Sequence, residues 1–139
     1  PRRVRRDSGP PVANGRAHPN LHGSTASCEA RNPRGNMKII RSKAFTAAKA
    51  WGALDIANMD GITARLHWTD QPYEWHVNDG QEVFAVLDGR VEMRYREGGR
   101  EQSAVLEAGD IFYASVGTEH VARPIGVARI LVIEKEGSA

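Results

Sequence analysis

The chain has 139 residues, enough for one domain, and its 19 Lys and Arg against 17 Asp and Glu leave a formal net charge of +2. Residues 1–36 hold seven basic and two acidic residues, a net +5, whereas residues 37–139 hold twelve and fifteen, a net −3. The basic balance therefore belongs to an N-terminal arm, and charge gives no support for nucleic-acid binding by the body. No apolar run approaches the ~18 residues of a membrane span, and the single cysteine, Cys28, excludes a disulfide framework.

The arm comes first in chain order. All nine aromatic residues follow position 36, and five of the seven prolines precede it. With so little Val, Ile, Leu and Phe, the arm cannot bury enough apolar surface to offset its chain entropy. It is expected to be disordered, with Met37 as the natural start and 1–36 as upstream or appended sequence. A basic arm that touches nucleic acid is a weaker reading, as is a transit peptide. There is no continuous apolar stretch of the kind a secretory signal carries. The cysteine-free body fits a reducing, cytoplasmic setting.

After Met37 the pattern is mostly of period two. A short helical turn is expected over Phe45–Trp51, with three alanines and Gly52 behind it. Ile62, Ala64, Leu66 and Trp68 alternate with polar residues, as do Val91, Met93 and Tyr95, so both stretches read as half-buried strands. Val83–Leu87 and Ile130–Ile133 are continuous apolar runs, expected for strands covered on both faces. Asp60-Gly61, Asp79-Gly80, Asp88-Gly89, Gly98-Gly99 and Gly109-Asp110 punctuate them as turns. No long segment of helical period separates the strands, which argues against a βαβ fold, and an all-β sandwich or barrel over 37–139 is expected.

Candidate site residues are few. The body has three histidines, His67, His76 and His120. His67 is out of phase with the apolar face of its strand, which makes it a surface or rim residue. His76 and Asn78 lie two apart and share one face. Glu82 opens the next strand beyond Asp79-Gly80, and a hairpin there brings it to the pair. His120 must come from a separate strand. Two imidazoles and a carboxylate suit a divalent metal, while ordinary hydrogen-bonded histidines and a rim carboxylate explain the same spacing without one. No phosphate loop, dinucleotide fingerprint or nucleophile elbow is present.

HVNDGQEVFAVLDG, followed by GDIFYASVGTEH, resembles the two motifs of the cupin superfamily. His76, Glu82 and Gly89 hold the histidine, glutamate and glycine places of the first motif, and Gly109, Gly117 and His120 hold theirs in the second. The short span between motifs is similar to that of small, single-domain bacterial cupins. Asp70, Asn78, Ser115 and Pro124 depart from the pattern. Three of these departures alter loops, but Asn78 replaces a ligand imidazole, and an amide oxygen binds Zn, Fe, Ni or Cu more weakly, so the ion implied is Fe, Mn, Zn or Ni, or none.

The resemblance implies a cupin-type jelly-roll β-barrel (a double-stranded β-helix) behind a disordered arm, often as a homodimer. It implies a metal set of His76, Asn78, Glu82 and His120, with a small organic ligand or substrate in the barrel. Two readings stay open: a divalent-metal site serving an enzyme, and a metal-free pocket that only binds a small molecule. Trp68, Tyr73, Trp75, Phe84 and Tyr113 are candidate pocket walls or core, and Arg65, Arg94 and Arg123 are candidate contacts for an anion. Substrate and reaction are not legible, because cupins host many chemistries.

Overall fold

Eleven strands and one 3-10 turn make up the described residues, which are 29–31 and 36–138 in this computed structural model. Strand β1 (Glu29–Arg31) pairs antiparallel with β2 (Lys38–Ile40) in a small separate sheet. The remainder of the arm, and the disorder expected of it, lies outside the described residues.

The body is the expected jelly roll of two facing antiparallel sheets. One sheet runs β5 (His76–Val77), β10 (Glu119–Pro124), β7 (Val91–Glu97), β8 (Arg100–Leu106). The other runs β3 (Gly52–Met59), β4 (Ile62–Thr69), β11 (Ala128–Lys135), β6 (Glu82–Asp88), β9 (Ile111–Ala114). Asp60 at φ 54 and Gly61 at φ 87 turn β3 into β4, and Gly98 at φ 58 and Gly99 at φ 76 turn β7 into β8. Two consecutive left-handed residues match the twist of an antiparallel pair, which is why Asp-Gly and Gly-Gly stand there.

Between the sheets, Phe84, Val86, Val91, Met93, Ala128 and Ile130 belong to the main core, each at 3% exposure or less. Along several strands this inward face changes from apolar to polar. On β6 it runs Val86, Phe84, Glu82; on β10, Ala122, His120; on β11, Ile130, Val132, Glu134. One end of the barrel is thus filled with hydrocarbon, and the other is lined by groups that can bind.

The outer face of the five-stranded sheet carries a second cluster, in which Phe45, Ala47 and Leu66 are buried and Leu54, Trp68 and Leu87 pack on them. This corrects two expectations. The helical turn over Phe45–Trp51 does not form; the 3-10 turn is Ser42–Ala44, and Phe45 is extended. Phe45 and Ala47 are buried while Thr46 and Ala48 are exposed, so the segment lies as a strap with a period of two. Burying two side chains outweighs the helix preference of alanine, which is only a few tenths of a kcal/mol per residue. The strap also inverts β4. Its apolar phase faces outward under the strap, and its polar phase, Thr63, Arg65 and His67, faces the barrel interior.

Candidate metal centre

His76 and His120 are direct cross-strand partners, because β5 pairs with β10. Asn78 extends that ladder: its N–H donates to the Thr118 carbonyl at 3.0 Å and its carbonyl accepts from Gly117 at 2.8 Å. Val77 points outward at 55% exposure, so His76 and Asn78 point in, as their spacing requires. Glu82 arrives differently from the expected hairpin. It opens β6, in the opposite sheet, and meets the two histidines across the barrel interior. The Asp79-Gly80 segment is therefore a crossing between sheets, not a hairpin turn.

The result is a tight cluster. One ligand atom from each of His76, Glu82 and His120 lies within 4.8 Å of the others. The His76 and His120 rings are 4.3 Å apart between centroids. Asn78, Glu82 and His120 are buried, at 4%, 5% and 1% exposure. The Glu82 carboxylate is poorly satisfied for a buried anion. The Asn78 amide nitrogen donates to it at 3.4 Å, and His120 Nε2 is 3.7 Å away, beyond hydrogen-bond range.

Two buried polar atoms of the cluster, Asn78 Oδ1 and His120 Nδ1, have no hydrogen-bond partner. His76 Nδ1 lies 2.9 Å from the Glu74 carbonyl, which can only accept, so Nδ1 holds the proton and Nε2 is left as a bare donor atom. A buried carboxylate with only long-range partners, an orphaned amide oxygen and a fixed imidazole lone pair are together the donor set a cation takes. The residues present fit a divalent metal.

A cavity of about 220 Å³ opens beside the cluster. Trp51, Tyr73 and Phe84 supply apolar walls, and Arg65, His67 and Glu134 supply polar ones. Aromatic contacts line one side continuously, from His67 to Trp51 at 6.0 Å, on to Tyr73 at 5.2 Å and to His76 at 5.2 Å. Burial is the main cause that holds the His67 imidazole below its ordinary pKa, against a hydrogen bond to the Trp51 carbonyl. The Glu134 carboxyl is pushed up to about 7, by burial first and then by the Glu82 charge.

Of the aromatic candidates, Tyr73 and Phe84 line the cavity. Trp68 packs in the outer cluster, Trp75 lies under the Arg96 guanidinium at 4.4 Å, and Tyr113 is 56% exposed. Of the arginines, Arg65 alone lines this cavity; Arg94 pairs with Glu92, and Arg123 is exposed. His67 lines the cavity, in keeping with the rim place and not the surface place that its strand phase left open. Trp51 and Glu134 were not among the candidates. Glu134 carried a signal, since it continues the inward phase of Ile130 and Val132. Trp51 carried none, because its place depends on the strap and on a left-handed backbone at φ 62.

The Cupin domain family matches residues 66–134. A cupin-2 domain containing protein from Shewanella frigidimarina superposes with a TM-score of 0.57 at 27% identity, over 63% of this chain and 83% of that one. The chain belongs to the cupin superfamily, of the cupin-2 type. A 62-residue stretch is 32% identical to the 3-hydroxyanthranilate 3,4-dioxygenase of Bos taurus, covering 45% of this chain but only 22% of that enzyme. The hydroquinone 1,2-dioxygenase of a Sphingomonas species shares the fold, with a TM-score of 0.58 at 15% identity over 65% of this chain and 68% of that one. Among the described residues no helix is long and apolar enough to cross a membrane.

Proposed function

We propose that residues 37–139 form one cupin domain that binds a divalent transition metal through His76, Glu82 and His120. Asn78 serves as a weak fourth ligand or an outer-shell hydrogen bonder. A small organic molecule occupies the adjoining cavity. The observation that carries this is the meeting of three donor atoms within 4.8 Å at the wall of an aromatic cavity. Two imidazoles and one carboxylate leave coordination positions open and suit iron or manganese. Bound there, the ion supplies a Lewis acid and a place for a small molecule or dioxygen. The protein's own residues do the rest: Glu74 fixes the His76 tautomer, the aromatic wall shields the ligand from water, and Arg65 and His67 face it from β4. The partial identity to a dioxygenase supports an enzyme of this kind, and proposes it only, since so little of that enzyme is covered.

Metal analysis of protein purified without chelator tests the proposal. About one equivalent of metal is expected, lost in His76→Ala and in His120→Ala. Sub-stoichiometric metal that neither substitution changes contradicts it.

One observation favours a second reading. Asn78 stands where the family pattern has a ligand histidine, and its amide nitrogen rather than its oxygen faces Glu82. On that reading the pocket holds a small molecule without metal, and Glu82 is a buried general base or simply a polar contact. Full retention of ligand binding after chelation, with no metal recovered, favours it.

A further inference from the structure

The cavity that the metal cluster lines has a second set of polar side chains, on β4. Arg65 and His67 are two residues apart on β4, so both face the interior, with Cα atoms roughly 6.6 Å apart. Neither is explained by packing, because the apolar phase of β4 is the one under the strap. The Arg65 Nε donates to Asp55 at 2.7 Å, and its two terminal nitrogens have no partner among the described residues. Among the described residues it is the only Lys or Arg lining this cavity.

His67 is equally defined. Its Nδ1 donates to the Trp51 carbonyl at 3.1 Å, since a carbonyl can only accept. Nε2 then keeps its lone pair. That atom has no partner among the described residues and is not sealed from solvent, so it opens to the cavity. Together they present guanidinium donors from Arg65, whose side chain is 42% exposed, and one acceptor from His67. Asp55 and Glu134 lie near Arg65, so a ligand anion gains from direct contact with the guanidinium rather than from a broad positive field.

Size and walls narrow the ligand further. An engineered apolar cavity on the order of 150 Å³ takes benzene. The 220 Å³ here fits one ring with one or two small substituents, and Trp51, Tyr73 and Phe84 offer it ring faces. We infer that Arg65 and His67 form a ligand-reading subsite for a single-ring aromatic carboxylate that carries a hydroxyl or amine donor. Arg65 takes the carboxylate and His67 accepts from the donor group. This rests on the proposed ligand-binding cavity but not on the metal.

Calorimetric titration with 3-hydroxybenzoate, benzoate and phenol tests it, each on wild type, Arg65→Met, Arg65→Lys and His67→Phe. Zinc binding is measured alongside as a check of the fold and of the metal site. Arg65→Met is expected to weaken 3-hydroxybenzoate and benzoate by about tenfold or more, as loss of a hydrogen bond to a charged group does. Phenol, which has no carboxylate, should weaken less than either acid, and zinc binding, to which Arg65 gives no donor, should not change. Arg65→Lys recovers part of the loss. His67→Phe removes the advantage of 3-hydroxybenzoate over benzoate. Unchanged carboxylate affinity in Arg65→Met, or a preference that survives His67→Phe, overturns the inference. Failure of wild type to bind zinc while carboxylate binding still depends on Arg65 sinks the metal proposal and leaves this one standing.

Discussion

Asn78 is the residue on which the chemistry turns. It is buried, its backbone is tied to Gly117 and Thr118, and its side chain touches the Glu82 carboxylate. Half a turn of the amide would exchange its two ends and offer the orphaned oxygen to a cation held by Glu82. Imidazole is the better donor for a late first-row metal. Asn78→His is therefore expected to raise zinc affinity in a chelator competition, and no change would show that position 78 does not reach the ion. His67 makes a separate prediction at this scale. Its folded pKa lies below 6.5, so the folded state takes up fewer protons than the unfolded chain in the window beneath that value. The stability it contributes is complete above 6.5 and falls as pH drops through the folded pKa. Glu134 acts with the opposite sign. Its carboxyl is raised to about 7 from 4.5, so its contribution is complete below 4.5 and is lost as pH rises towards 7. Urea denaturation of metal-free protein should show the acid-side loss flattened in His67→Gln, and an unchanged profile would contradict the burial of a neutral imidazole.

Among the elements, the turns were the most legible part of the sequence and the strap the least. Asp60-Gly61 and Gly98-Gly99 close hairpins as their chemistry requires, but Asp79-Gly80 does not. Glu82 lies in the sheet opposite His76, and nothing local distinguishes a crossing between sheets from a hairpin. Phe45 and the three alanines behind it suit a helix when taken alone; only the outer face of the five-stranded sheet makes the strap extended. The same face explains why His67 and Arg65, out of phase with the apolar residues of β4, point to the cavity. Gly89, a position kept from the family pattern, has a clear reason. It sits at φ 77, and a Cβ there would come within 2.2 Å of the Val127 carbonyl oxygen. Gly98 at φ 58 faces open space. Gly89→Ala is expected to destabilise the barrel by more than the roughly 1–3 kcal/mol of backbone strain alone, and Gly98→Ala by strain alone. Equal losses in chemical denaturation would show that the contact with Val127 costs nothing.

At the scale of the whole molecule, the barrel divides into a hydrocarbon end that carries stability and a polar end that carries function. The division was only half visible beforehand, since the registered motif residues His76, Glu82 and His120 could be picked out but not the cavity behind them. It has consequences that differ by end. Met93 is fully buried at the apolar end, and Met93→Ala should cost about 2–5 kcal/mol of unfolding free energy with the metal site intact. At the polar end, removing Glu82 should leave folding of metal-free protein little changed, because its burial is a cost without a cation. Starting the chain at Met37 removes β1 but leaves Ile40 on the strap cluster, so the barrel's melting transition is expected to stay in place. A large fall would show that the arm packs on the barrel. The homodimer that family resemblance implies is a proposal at this scale, read by sedimentation as two copies rather than one.

The central claim is that His76, Glu82 and His120 converge on one cation. Anomalous scattering from zinc-soaked crystals tests it most directly. The account predicts one strong peak roughly 2.0–2.2 Å from a nitrogen of each histidine and an oxygen of Glu82. No peak there, or a peak that persists in His120→Ala, would contradict it.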